Sequence, residues 1–168
     1  MFLYLLRHGD AQTEASLPDE QRALTAEGIV SVQRVARALE AMMLRFDAVY
    51  TSPLLRARET AELALSAFDQ RPAARETEFL KVGFDFQKLF ELLNRHSPDA
   101  HLLLVGHEPY FSQLISTLLT GTLDVKIDVR KSSLCCVEVS HPIQPCRGSL
   151  KWLLPPQMME VIRQRGES

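Results

Sequence analysis

Short apolar runs and helical apolar stripes follow one another along this chain, and that alternation restricts the fold more than any other feature. Phe2, Leu3, Tyr4, Leu5 and Leu6 form a nearly continuous apolar run, as expected of a parallel strand covered on both faces. From Thr25 the spacing changes. Val32, Val35, Ala36, Leu39, Met42 and Met43 recur at the helical period, with Thr25 as N-cap and Glu27 in the first turn, where the helix dipole favours an acid. Residues 46–51 read as a second strand, after which Ser52-Pro53 offers an N-cap and an N1 proline for a helix burying Ala57, Ala61, Ala64, Leu65 and Phe68. A weaker strand over residues 74–79 precedes a helix with Phe86, Leu89, Phe90 and Leu93 inward. Residues 101–105 are another apolar strand, and Gly106-His107-Glu108-Pro109 then opens a helix with Phe111, Leu114, Ile115 and Leu118 on one face. In the last third Val125, Ile127 and Val129 alternate, residues 134–139 and 149–154 read as strands, and Pro155-Pro156 starts a terminal helix. The pattern predicts an α/β fold with three layers, α/β/α, around a mostly parallel sheet.

At 168 residues, without a linker, repeat or low-complexity tract, residues 1–168 are expected to form one domain. Acidic and basic residues nearly balance at a net charge of −2, so no charged face marks nucleic acid or an anionic membrane as the partner. The three cysteines are odd in number, Cys135 and Cys136 are adjacent, and none forms a C-x-x-C pair. That argues against a disulfide framework or a zinc site, so the cysteines are read as small apolar side chains suited to a reducing cytoplasm. The N-terminal apolar run is too short for a signal-peptide core, and no later stretch is long enough to span a bilayer.

A parallel sheet of this kind binds ligands beyond the carboxyl ends of its strands. Arg7 and His8 fall at the end of the first strand, Arg56 in the first turn of the helix after the second, and His107 just past a later one. Three strand-to-helix junctions thus deliver a cation or an imidazole to one edge, together with helix N-termini whose free N–H groups favour an anion. A phosphate-sized dianion fits that set. A neutral imidazole on His8 can attack phosphorus in line, Arg7 and Arg56 offer forked donors to its oxygens, and a protonated His107 would add another. There is no acidic cluster suited to a metal, so neither metal nor cofactor is expected. His96, His101 and His141 lack comparable neighbours and read as structural, and Arg34, Arg37 and Arg45 read as a solvated helix face.

These residues resemble the histidine phosphatase superfamily, with its phosphoglycerate mutase-like fold, and within it the small SixA-type phosphohistidine phosphatases. Leu6-Arg7-His8-Gly9-Asp10-Ala11 is similar to the nucleophile motif, Arg22-Ala23-Leu24-Thr25-Ala26-Glu27-Gly28 to a second block, and Ser52-Pro53-Leu54-Leu55-Arg56-Ala57 to the arginine-bearing turn. Gly106-His107-Glu108-Pro109 resembles the second histidine motif, and Leu150-Lys151-Trp152-Leu153-Leu154-Pro155 the tail of this branch. The resemblance implies a phosphorylated protein as substrate and a two-step course, in which phospho-His8 forms and is hydrolysed by water. Larger relatives follow the Arg-His-Gly with threonine or serine and then asparagine, whereas Asp10-Ala11-Gln12 stands here, which favours the SixA branch. Glu78 is the positional match for the superfamily's general acid, and Asp10 competes with it. The expectation is therefore a phosphohistidine phosphatase, with a small-molecule phosphomonoesterase or mutase as the alternative. A catalytically dead phosphate-binding module would normally lack a histidine or arginine that is present here.

Overall fold

A computed structural model describes residues 1–14 and 17–166 of the chain, with side chains to residue 161. Its centre is a six-stranded sheet made of β1 (Phe2–Arg7), β2 (Ala48–Thr51), β3 (Ala74–Glu76), β4 (His101–Gly106), β5 (Leu134–Val139) and β6 (Gly148–Leu154). The order is β3-β2-β4-β1-β5-β6. The first four strands in that row run parallel, and β5 and β6 join antiparallel beyond β1. Among the described residues five α-helices cover the sheet: α1 (Ala26–Ala41), α2 (Leu55–Ala64), α3 (Phe86–Leu93), α4 (Tyr110–Thr120) and α5 (Pro156–Gly166).

The unbroken apolar runs are explained by two cores, one on each face of the sheet. Leu3 and Leu5 of β1 join Leu102 and Leu104 of β4 against Leu89, Phe90, Phe111 and Leu114 from α3 and α4. Their neighbours Tyr4, Leu6, Leu103 and Val105 point the other way, onto Val35, Leu39, Ala57, Ala61 and Met159 from α1, α2 and α5. Successive strand residues face opposite sides, so a strand buried twice has no polar positions to spare. Truncating a fully buried leucine such as Leu104 to alanine is the kind of change that costs ~2–5 kcal/mol.

Helix α1 begins as its sequence predicts: Thr25 Oγ1 accepts from Gly28 N at 3.0 Å, and Val32, Val35, Ala36 and Leu39 are buried. It ends at Ala41, and Met43, grouped with the helical stripe on spacing, is exposed with φ 51°. Two other readings are corrected. Helix α2 starts at Leu55, with Leu54 rather than Ser52 at its N-cap; the Ser52 hydroxyl meets His107 Nε2 at 2.8 Å and accepts from Leu54 N at 3.4 Å. Strand β3 stops at Glu76, and Thr77 caps a 3-10 turn, Glu78–Leu80. The alternating Val125, Ile127 and Val129 lie outside the six strands of the sheet. Val129 is buried in the core while Val125 stays exposed. Cys135 and Cys136 are buried as small apolar side chains should be, but Cys146 is exposed. His101 and His96 meet the hydroxyls of Tyr4 and Tyr50, and His141 meets the Asn94 carbonyl, the structural roles expected of them. Among the described residues no helix is long and apolar enough to cross a membrane.

Candidate active site

Four parallel strands end at one edge, and β1 carries the chain straight into Arg7, His8 and Gly9 there. Their main chain is fixed on three sides. His8 N donates to Gly106 O at 3.0 Å, Arg7 N to Ser133 O at 3.1 Å, and Gly9 N to Thr60 Oγ1 at 3.1 Å. Thr60 Oγ1 in turn donates to Arg56 O at 2.6 Å, so α2 and the end of β1 are tied through one hydroxyl. Gly9 is required by close approach. A Cβ there would lie 2.9 Å from Val32 Cγ2 and 3.0 Å from Gly28 O.

The His8 ring is buried, 8% exposed, and its Nδ1 lies 2.7 Å from Gly9 O. A carbonyl only accepts, so the ring proton sits on Nδ1 and the lone pair is left on Nε2. Burial, with the charges of Arg56, Arg7 and Lys131, pushes the His8 pKa down to about 4 against the opposing pull of the Gly9 carbonyl. At neutral pH the ring is therefore an uncharged imidazole with a free Nε2. Nitrogen-resolved NMR of the histidine rings should show His8 still neutral and Nδ1-protonated at pH 5.5; titration near 6.5 would contradict this environment. The same shift links to stability. A folded pKa below the unfolded 6.5 means the unfolded chain binds more protons, so this stabilising contribution is complete above pH 6.5 and lost as pH falls through 4.

His107 stands beside it, with ring centroids 5.0 Å apart. Its Nε2 lies 2.8 Å from Ser52 Oγ, and its buried Nδ1 has no protein partner. Burial first, then His8 and Arg56, lowers its pKa to about 3, although Asp19 pulls the other way. The donor anticipated on a protonated ring is thus a neutral imidazole in the free protein. The positive charge at this edge belongs to the arginines and to Lys131.

Arg7 and Arg56 are both anchored from one side. Arg7 Nη1 donates to Val129 O at 2.8 Å, while its buried Nε has no protein partner. Burial lowers its pKa, opposed by Glu108 and Asp128. Arg56, only 12% exposed, donates from Nη1 to Asp19 O at 2.8 Å and from Nη2 to Asp19 Oδ2 at 3.0 Å. Together these guanidiniums and the two neutral rings can receive an oxyanion while His8 Nε2 faces no competing proton.

The two candidate acids are both held by lysines. Asp10 is bonded to Lys131 through Oδ1 and accepts from Thr25 Oγ1 at 3.0 Å through Oδ2. The Lys131 bond, offset in part by burial, holds its pKa below the usual carboxylate range. Glu78 occupies the 3-10 turn after β3, half-exposed, with Oε2 3.0 Å from Lys81 Nζ. Sequence reasoning missed Asp19, Lys131 and the segment from Val129 to Ser133. Ser132 N donates to both Arg7 O and His8 O, and φ at Ser132 is 58°. Asp19 carried a usable signal, an acid three residues before the quoted Arg22 block, but nothing in that spacing announces Arg56 as its partner. Among the described residues no group of three or more His, Cys, Asp or Glu side chains is arranged to hold a metal ion.

Comparison with known proteins assigns this arrangement to a class. Residues 3–84 match the family model of the histidine phosphatase superfamily, branch 1. An uncharacterized protein of Picosynechococcus sp. is 33% identical over 137 residues, covering 80% of this chain and 82% of its own. The chain belongs to the histidine phosphatase superfamily. It is also similar to the phosphohistidine phosphatase SixA of Escherichia coli K12, at 29% identity over 167 residues, 97% of this chain and 99% of that one. A solved structure of the protein histidine phosphatase SixA complexed with tungstate superposes with a TM-score of 0.83, covering 95% of this chain and 99% of that chain at 24% identity. Likeness at that identity speaks for the shared architecture.

Proposed function

We propose that this protein is a phosphohistidine phosphatase that removes phosphate from phosphohistidine on a protein substrate through a covalent phospho-His8 intermediate. Nε2 of neutral His8 attacks phosphorus, the bond from phosphorus to the substrate nitrogen breaks, and the substrate imidazole leaves with the electron pair. Arg7 and Arg56 offset charge on the transferring oxygens, and His107 adds a donor through Nδ1 in the tautomer whose Nε2 accepts the Ser52 hydroxyl hydrogen. Phosphorylation makes the His8 ring cationic, which strengthens the bond from Nδ1 to the Gly9 carbonyl. Water then cleaves the new bond between Nε2 and phosphorus, releasing inorganic phosphate and regenerating His8. No step is assigned to a metal.

The observation that carries this reading is the engagement of both candidate acids by lysines, Asp10 by Lys131 and Glu78 by Lys81. Expelling an alkoxide requires a positioned proton donor in the transition state. Phosphohistidine does not require one. Its imidazole departs neutral when the remote nitrogen is protonated, and transfer to His8 exchanges one phosphorus–nitrogen bond for another. Similarity to SixA over nearly the whole chain supports the same substrate class.

A panel of phosphohistidine protein, nitrophenyl phosphate and alkyl phosphates, in the presence of EDTA, tests the proposal. Phosphohistidine turnover is expected to be fastest, unaffected by chelator, and changed less than about threefold by Glu78→Gln or Asp10→Asn. Alkyl phosphates turned over equally well, with both activities lost together in one of these variants, would establish the phosphomonoesterase alternative and identify its acid.

A further inference from the structure

Asp19 stands in the short 3-10 turn Asp19–Gln21 ahead of α1, and its carboxylate is shared between two arginines. Oδ2 accepts from Arg56 Nη2 at 3.0 Å, and Oδ1 lies 3.4 Å from Arg22 Nη1. Arg56 Nη2 is therefore met by an anion of the chain itself. Its partner Arg56 is tied to Gly9 through the Thr60 hydroxyl, which places the pair at the edge that carries His8 rather than on a remote face.

We propose that Asp19 is the affinity-setting residue of the phosphoryl site. Its carboxylate is a resident anion on Arg56 Nη2, drawn onto Arg22 when a phosphoryl oxygen takes that donor. The inference rests on the reading of Arg56 as a phosphoryl-binding residue. Carboxylate and phosphoryl oxygens seek the same paired N–H donors, so each weakens the other's hold on one guanidinium. Arg22 has donor capacity for the displaced carboxylate, since its buried Nε has no protein partner. Arg56 does not depend on the carboxylate for its position, because Asp19 O holds Nη1 at 2.8 Å through the main chain. Arg56 first, and Arg22 beside it, keep Asp19 below the usual carboxylate range, so it remains an anion wherever the site would work. The consequence for turnover is weakened retention of product: inorganic phosphate meets a competitor for Arg56 and is released.

Calorimetric titration of the whole protein with inorganic phosphate tests this. Asp19→Asn removes the charge, keeps the main-chain contact and changes a side chain that is 51% exposed; Asp19→Ser provides a second variant. Both are expected to bind phosphate about fivefold or more tightly, with competitive inhibition by phosphate strengthened in parallel and kcat and KM both reduced. Arg22→Gln should weaken phosphate binding in the wild-type background and have little further effect beside Asp19→Asn, the signature of a residue acting through Asp19. Unchanged or weaker phosphate binding in both Asp19 variants, with binding abolished by Arg56→Ala, would overturn the inference while leaving the phosphoryl site intact. Phosphate binding that survives Arg56→Ala would overturn the reading of the site, and the inference with it. Equal losses from Arg22→Gln in both backgrounds would overturn the transfer to Arg22.

Discussion

His8→Ala is expected to abolish turnover, by on the order of a thousandfold or more, and to eliminate covalent phosphoryl labelling entirely. The methyl group that replaces the ring offers no lone pair, and no second nucleophile is arranged to substitute for it. The neighbouring imidazole does not serve: His107 Nε2 is engaged with the buried Ser52 hydroxyl. The variant should fold. The main chain of residues 7–9 is held by Gly106 O, Ser133 O and Thr60 Oγ1, whereas the His8 ring bonds to Gly9 O. The measurement is acid-labile, base-stable phosphate trapped on wild type and variant at equal concentration. Labelling of His8→Ala at the wild-type rate would reassign the nucleophile.

The second large effect falls on the fold. Gly28 sits in the first turn of α1, and a Cβ on it would lie 2.1 Å from Asp10 O and 2.9 Å from both Asp10 C and Asp10 N. That is main chain, which cannot rotate away as a side chain can. Gly28→Ala must therefore push α1 from the loop that follows His8, and a cost of several kcal/mol, ~3 or more, is expected. For a chain of this size that corresponds to a fall in Tm of roughly 10 °C. The displacement also strains the contacts of Asp10 with Thr25 and the bridge between Ala11 and Leu24, so activity should fall before global unfolding. Thermal unfolding followed by circular dichroism checks this, and a Tm within about 2 °C of wild type would show that the approach of Gly28 to Asp10 is not tight.

The residues legible in the sequence share a physical property: each lies on, or directly beyond, an element with a strong period. Leu3 to Leu6 identify a strand buried on both faces, and Arg7 and His8 are then located by being next in the chain. Arg56 and His107 are located in the same way, by the ends of β2 and β4. Asp19, Lys131 and Ser132 have no such marker. They reach the site because non-periodic loops fold back to it, Asp19 onto Arg56 across 37 positions and Lys131 onto Asp10 across 121. The placement of Lys131 further depends on β5 pairing antiparallel beside β1, a choice of neighbour that no local pattern states. Ser52 shows the converse error. Its type and position before Pro53 describe a helix cap well, but the helix begins at Leu55, and the Ser52 hydroxyl meets His107 Nε2 while accepting from Leu54 N ahead of the helix. Val125, Ile127 and Val129 alternate as a strand does, yet period alone does not supply a pairing partner.

The most direct test of the account is a single turnover with a protein phosphorylated on histidine with labelled phosphate, quenched in base at successive times and mapped by peptide. The account predicts that label appears first on His8, bonded through Nε2, and that inorganic phosphate follows as that label decays. Phosphate released from the first turnover with no label on His8 at any time of quenching would contradict it.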